Sequence, residues 1–401
     1  MKKKNLLKND AVQSLLASLG CIVFGLLVGY IVLLFIQPKG AGKAILTIIE
    51  NFFTYNRAET QMKYLGSTLV KTAPLLMCSL SILFAYKVGL FNIGAAGQYV
   101  VGASLYAALA WGWSWLPCML FAVAAGMAAG AIVGLLKTFC NVNEVISGIM
   151  LNWIFLYATN MILTNVKEVA SPYTYQMHSA AQQALLPSLG LDKLFSGNQY
   201  VTIAIPLAIL MAILVWVVLE KTRFGYELKA TGFNKHAAKY CGMAERRNTV
   251  LTLAIAGGLA ALGGSLLYQT GYEQWQCTHS SVPNMGFNGI CAAFLGGLNP
   301  IGAIFSSFFI QHITSGGAYV DKSLYCSQIS DLITAIIIYM CGFVLFLKTA
   351  MNNAAARREE RQRLAAWSAH AAAETEAASD PERETASPQA PADSEKGGEA
   401  Q

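Results

Sequence analysis

The stretch Glu220-Lys-Thr-Arg-Phe-Gly225-Tyr-Glu-Leu-Lys-Ala230-Thr-Gly232-Phe-Asn234-Lys-His-Ala237-Ala238-Lys-Tyr240-Cys-Gly242-Met-Ala-Glu-Arg246-Arg247-Asn248 is a basic loop set between two membrane-length apolar runs. Those runs, Tyr200–Leu219 and Thr249–Tyr268, carry no charged residue. A long Lys/Arg-rich loop between spans belongs on the cytoplasmic side. Its middle reads Gly232-x-Asn234-x-x-Ala237-Ala238-x-x-x-Gly242, the pattern of a short helix with small residues on one face. Gly232 is expected to separate this helix from the preceding segment, and Ala237 and Ala238 to present a flat surface. Small side chains let another protein's backbone come close, so the helix is read as a cytosolic docking element for whatever drives the membrane part.

Composition agrees with that reading. The chain is 55% hydrophobic and 12% charged, with a mean hydropathy of +0.46, whereas a soluble domain carries about 25% charged residues. This is a membrane protein, and its 401 residues are not to be divided into soluble domains. The net charge of +6 comes from Lys and Arg crowding the cytoplasmic segments. That is positive-inside bias, and nucleic-acid binding is not expected. The start, Met1-Lys-Lys-Lys-Asn5, precedes an apolar run over 15–36 with no small-residue cleavage site after it. An uncleaved first span is expected in preference to a signal peptide.

Working outward from the loop, the apolar runs fall at 15–36, 65–86, 92–111, 115–136, 145–163, 200–219, 249–268, 284–298, 300–316 and 329–347. About 20 apolar residues cross a bilayer. The expectation is an all-α polytopic protein of about ten transmembrane helices, or eight plus a re-entrant pair around Asn299-Pro300. Residues 1–14 form a cytoplasmic N-terminus, 15–347 the transmembrane domain, and 348–401 a cytoplasmic tail. Both termini then lie inside, with 137–144 and 220–248, and the 269–283 loop outside holds no Lys or Arg. The lysines of outer loops 37–64 and 164–199 fit less well. Within the tail, 357–367 continues the last helix. After Ala371 the chain is Ala, Glu, Ser, Pro and Gly, and disorder is expected.

Glycine recurs at four-residue spacing at Gly126, Gly130 and Gly134, the signature of closely packed membrane helices. Gly-rich, polar-punctuated spans also occur as broken helices along a transport path.

Enzymatic and metal motifs are missing. The nearest string to a phosphate-binding loop, Gly40-Ala-Gly-Lys43-Ala, lacks the spacing and the Ser/Thr. The five histidines and nine cysteines show no metal-ligand spacing, so neither a metal nor a cofactor is expected. Ionisable residues inside spans are Lys71, His312 and Asp331. An ion-coupled carrier places acidic groups near the midplane, and their scarcity weighs against that alternative. The polar groups in spans are mostly amides: Asn92, Gln98, Asn152, Asn284, Asn288 and Asn299. Each alone is explained by an interhelical hydrogen bond. Together they mark a path for a small neutral solute.

Cys277 and Cys326 both face outward in the ten-span topology, at the two ends of the 284–316 hairpin. They are the one pair that meets oxidising conditions on the same side. Two independent free thiols are the preferred reading, and a bridge between them is the alternative.

Four strings resemble the permease subunits of ABC importers for nucleosides, in the branched-chain amino acid/ribose permease superfamily. They are Gly89-Leu-Phe-Asn-Ile-Gly-Ala-Ala-Gly-Gln98, Asn143-Glu-Val-Ile-Ser-Gly-Ile-Met-Leu-Asn152, Ala230-Thr-Gly-Phe-Asn-Lys-His-Ala-Ala238 and Gly286-Phe-Asn-Gly-Ile-Cys-Ala-Ala-Phe-Leu-Gly-Gly-Leu-Asn-Pro300. They occur in the family's order and spacing over roughly 10–350. One departure is Ala96, where the first motif usually has glutamate.

The resemblance implies nucleoside import in a bacterial cell membrane and no ATPase site in this chain. It also implies three partners: a cytosolic ATPase, a second and similar permease, and an extracytoplasmic substrate-binding lipoprotein. Sugar uptake of the ribose type is the nearest alternative. The expected solute path is Asn92, Gln98, Asn152, Phe287 and Asn288, an aromatic ring beside amides suiting a nucleobase. The expected ATPase-coupling residues are Gly232, Asn234, Ala237, Ala238 and Gly242.

Overall fold

The computed structural model describes residues 10–100, 103–166, 174–175, 177–278, 280–321 and 323–325, then 332–333, 335–336, 339–340 and 342–378. It divides into two compact units, Met1–Leu347 and Lys348–Gln401.

In chain order the helices are α1 (Asp10–Ile36), α2 (Ala41–Glu50), α3 (Ala58–Lys87), α4 (Ala95–Val100), α5 (Ala103–Trp111), α6 (Trp115–Phe139), α7 (Glu144–Thr164), α8 (Met177–Ala180), α9 (Leu191–Leu194), α10 (Ala204–Lys221), α11 (Arg223–Phe233), α12 (Lys235–Tyr240), α13 (Glu245–Tyr268), α14 (Asn284–Leu295), α15 (Pro300–Gly317) and α16 (Val344–Ala378). Two short strands, β1 (Thr174–Tyr175) and β2 (Trp275–Gln276), pair antiparallel, Thr174 opposite Gln276.

Six helices among the described residues are long and apolar enough to cross a membrane: the 19–36 part of α1, then α3, α6, α7, α10 and α13. The four other expected spans do not register as single long apolar helices among the described residues. The 92–111 run is described as α4 and α5, with 101–102 between them outside the described residues. The 284–298 run is a 12-residue helix, α14, which at 1.5 Å per residue spans about 18 Å, short of a bilayer core. The 300–316 run forms α15, whose length is sufficient but whose Ser306, Ser307, Gln311 and His312 dilute its hydropathy. The 329–347 run is described only in pieces, and Asp331 lies outside the described residues. Conversely, the loop expected over 37–64 contains α2, whose Ala41, Ala44 and Ile48 are buried. The helix of the tail runs past Ala371 to Ala378, in keeping with the high helix propensity of Ala and Glu.

α3 and α13 are the centre of the first unit. Their apolar stretches are 89% and 83% buried, against 28% for those of α1, α7 and α10. The glycines of α6 bring it against α13. A Cβ on Gly126 would lie 2.6 Å from the carbonyl oxygen of Gly257, and one on Gly130 would lie 2.9 Å from the carbonyl carbon of Leu253. The expected small-residue packing is therefore a seam of backbone on backbone, in which van der Waals contact replaces the hydrophobic drive that lipid cannot supply.

α14 and α15 form an antiparallel hairpin. Near its tip, Phe294 lies edge-on to Tyr86 at the end of α3, with ring centroids 5.1 Å apart. At the other end Gly316 packs on the backbone of Ile48 in α2. There His312 Nε2 lies 2.8 Å from the carbonyl oxygen of Ile49 and Asn51 Nδ2 donates to the carbonyl of His312. The unit thus has two distinct ends. One carries 88–90, 137–144, 220–248 and the hairpin tip. The other carries 51–64, 111–115, 177–203 and 269–283.

Candidate functional site

A cavity of about 450 Å³ opens between the 269–283 loop and helices α3, α14 and α15. α3 contributes Lys71 and α4 contributes Tyr99. The end of α13 and its following loop give Tyr268, Glu273, Gln274 and Trp275. Ser281, Val282 and Pro283 come from the segment before α14, Asn284, Met285, Phe287 and Asn288 from its start, and Gln311 and Thr314 from α15. The volume falls in the range of small-molecule sites.

The floor is fixed by buried aromatic residues. Trp275 is fully buried, donates its indole N–H to Asn160 Oδ1 at 3.0 Å, and stacks edge-on with Tyr268 at 5.8 Å. Tyr99 lies against Tyr268 at 6.4 Å. Gly264 faces the carbonyl of Tyr99 so closely that a Cβ there would collide with it. That contact seats α4 directly on α13. The wall is polar. Asn284 and Asn288 are one turn apart on α14, and among the described residues neither side chain hydrogen-bonds within the chain. Gln311 is buried and donates to Ser315.

Lys71 is the one charged residue between Tyr64 and Tyr86. Its ammonium sits 5.1 Å from the centroid of the Tyr272 ring, within cation–π range. Burial first, then the carboxylate of Glu273 and the tyrosines around it, push the Tyr272 phenol above its usual range, so it stays a donor. Three residues past Lys71, Pro74 lies inside α3. Its missing N–H removes the helical hydrogen bond to the carbonyl of Val70.

The sequence-expected path is divided by the structure. Phe287, 39% exposed, and Asn288 line the cavity. Asn92, Gln98 and Asn152 do not. Asn92 Nδ2 donates to Gln98 Oε1 at 2.8 Å and to Ser81 Oγ at 3.0 Å. Asn152 Oδ1 accepts from the Gly97 N–H at 2.7 Å, and its Nδ2 donates to the Ile93 carbonyl at 3.1 Å. All three are buried, and they tie the 92–98 segment to α3 and α7. Ala96, in the same segment, is buried against Gly286. Sequence reasoning passed over Tyr99, Tyr268, Glu273, Gln311 and Lys71 as path residues. Lys71 alone was signalled, as an isolated charge in an apolar run.

The basic loop at the opposite end is two helices. The break falls at Asn234, whose extended backbone separates α11 from α12 and whose Oδ1 accepts from the N–H groups of His236 and Ala237 at 3.0 and 3.1 Å. That is a side-chain cap of the ordinary kind. Gly232 does not break the helix, correcting the sequence reading. It lies inside α11 and lets it approach the end of α3, where a Cβ would meet the carbonyl carbon of Val88 at 2.4 Å. Asn248 Nδ2 donates to Thr231 Oγ1 at 3.1 Å, tying α11 to α13. Ala238 is buried, which removes it from the expected flat surface, while Ala237 is exposed. Phe233 and Tyr240 are each 92% exposed. Gly242 has a φ of +78° and open space around it, so its role is conformational. Cys277 is a half-buried free thiol, and its proposed partner Cys326 lies outside the described residues.

A family model described as "branched-chain amino acid transport system / permease component" matches residues 64–342. The guanosine ABC transporter permease protein NupP of Bacillus subtilis (strain 168) is 32% identical over 300 residues, 73% of this chain and 85% of that one. The nucleoside ABC transporter permease protein NupB of Lactococcus lactis subsp. cremoris (strain MG1363) is 30% identical over 373 residues, 87% of this chain and 96% of its own. The glucose ABC transporter permease protein TsgB13 of Haloferax volcanii is 27% identical over 70% of this chain and 77% of its own. Matched over most of its apolar length, this multi-pass membrane protein belongs to the family of branched-chain amino acid transport system permease components.

Proposed function

We propose that this chain is the membrane-spanning subunit of an ABC importer that carries nucleosides into a bacterial cell, driven by a separate ATPase. The observation that carries this reading is the cavity: aromatic rings of Tyr99, Tyr268 and Phe287 beside the unbonded amides of Asn284 and Asn288. A nucleoside offers a flat face and polar edges to such a lining. The names of the NupP and NupB relatives point to the same substrate class.

The ATPase docks at the basic end. Its contact is α12 with the exposed Phe233, Ala237 and Tyr240 around it. This end faces the cytoplasm with both termini, and the cavity faces the extracytoplasmic side, where a substrate-binding lipoprotein delivers solute. A second, similar permease completes the pathway. The crossings are the six long helices, the 92–111 run, the α14–α15 hairpin and the 329–347 run. The glucose relative keeps sugar uptake as the second reading.

Uptake by cells carrying the whole transport system tests the proposal. Asn288→Ala should raise the KM for radiolabelled nucleoside several-fold at unchanged membrane level. Ribose or glucose uptake without nucleoside uptake would hand the case to the sugar reading.

A further inference from the structure

The cavity holds one cation and one carboxylate that do not neutralise each other. Lys71 and Glu273 both line it, and among the described residues neither forms an ion pair. Lys71 is half-buried and is the one charged residue of α3 between Tyr64 and Tyr86, and Glu273 is exposed at the mouth, one residue from the ring that Lys71 faces. An ammonium has three donors and no acceptor, and an ionised carboxylate only accepts. A charge retained inside a membrane-spanning segment marks a functional group by default.

We propose that Lys71 and Glu273 select nucleosides by the polarity of the base edge, favouring oxo bases with a neighbouring ring N–H (hypoxanthine, guanine, uracil) over amino bases (adenine, cytosine). The inference rests on the nucleoside reading above. Asn284 and Asn288 take the ribose hydroxyls, which points the base toward α3. Lys71 then donates to the exocyclic oxygen, and Glu273 accepts from the ring N–H and, in guanine, from the amino group beside it. An adenine or cytosine in the same pose places an amino donor against the ammonium and a ring acceptor against the carboxylate. Both contacts are then mismatched, donor against donor and acceptor against acceptor, and the amino bases are disfavoured.

The test compares uptake of inosine, uridine, adenosine and cytidine in cells carrying the whole transport system, with wild-type chain, Lys71→Met, Lys71→Arg or Glu273→Gln. The binding protein is the same in every strain, so a changed ratio between nucleosides arises in this chain. Lys71→Met should lower inosine and uridine uptake about tenfold, the factor that ~1.4 kcal/mol represents, while adenosine and cytidine change by less than about twofold. Lys71→Arg should keep the wild-type order, and Glu273→Gln, at an exposed position with little structural weight, should lower the oxo nucleosides selectively. A uniform fall for all four nucleosides, or an unchanged oxo-to-amino ratio in both Lys71→Met and Glu273→Gln, overturns the inference while leaving nucleoside import standing. A wild-type system that takes up ribose and none of the four overturns the underlying reading instead.

Discussion

Gly232→Ala separates coupling from stability. The new methyl would lie 2.4 Å from the carbonyl carbon of Val88, where ordinary contact begins at 3.4 Å, so α11 and the end of α3 must part by about 1 Å. Overpacking of this kind costs roughly 1–3 kcal/mol. Alanine regains ~1 kcal/mol over glycine in a helix interior. The net loss of stability is therefore small, about 0–2 kcal/mol, yet the seat of the docking helices has moved. Uptake should fall at least tenfold while the melting temperature in detergent drops by only a few degrees. Gly190→Ala supplies the matched control. Its φ of +83° makes alanine strained by ~1–2 kcal/mol, but nothing lies within 4 Å of the new atom. It should lose similar stability and keep transport. Wild-type uptake in Gly232→Ala, or equal losses in both variants, would refute the view that this contact couples the docking end to the bundle.

Further outcomes follow from the same structure. Gly130→Ala should lower the melting temperature, because its Cβ would press on the Leu253 carbonyl, whereas Gly20→Ala, with open space around it, should be neutral or mildly stabilising. Asn152→Ala leaves the Gly97 N–H and the Ile93 carbonyl without their partner, at about 1–3 kcal/mol. Uptake and folded yield should then fall together, and selective loss of uptake with full folding would return Asn152 to the solute path. Ala237→Glu should abolish ATP-driven uptake without lowering membrane level; uptake at the wild-type rate would move the docking surface elsewhere. Cys277 should label with maleimide on intact cells without reductant, slowly, because burial raises its thiol pKa; labelling only after reduction would establish a bridge.

Apolar runs were sufficient to place α3, α6, α7, α10 and α13, because a bilayer demands length and hydropathy that little else in a sequence imitates. α2 escaped because ten residues with three buried ones lie below that threshold. The amides show the limit more sharply. Sequence locates Asn92, Gln98 and Asn152 in apolar surroundings but does not reveal that the first two face each other and the third faces a bare backbone. Asn288 carries the same chemical signature and lines the cavity instead. Gly232 was misread for a related reason. A glycine in a loop suggests a break, but here its missing side chain serves a contact with a helix far away in the chain.

The burial of α3 has a consequence for how the protein is made. α3 carries Lys71 and a mean hydropathy of 1.7, against 2.8 for the corresponding stretch of α1. Its surroundings in the finished molecule are protein, supplied above all by α13. The ribosome adds roughly 5–20 residues each second, so α3 emerges about ten to thirty seconds before that partner exists. During this interval a span that carries a lysine stands in lipid with its future neighbours unmade. The early helices must shelter it, and a mutation that slows the arrival of α13 would be felt as loss of the newborn chain to proteolysis before any transport is attempted.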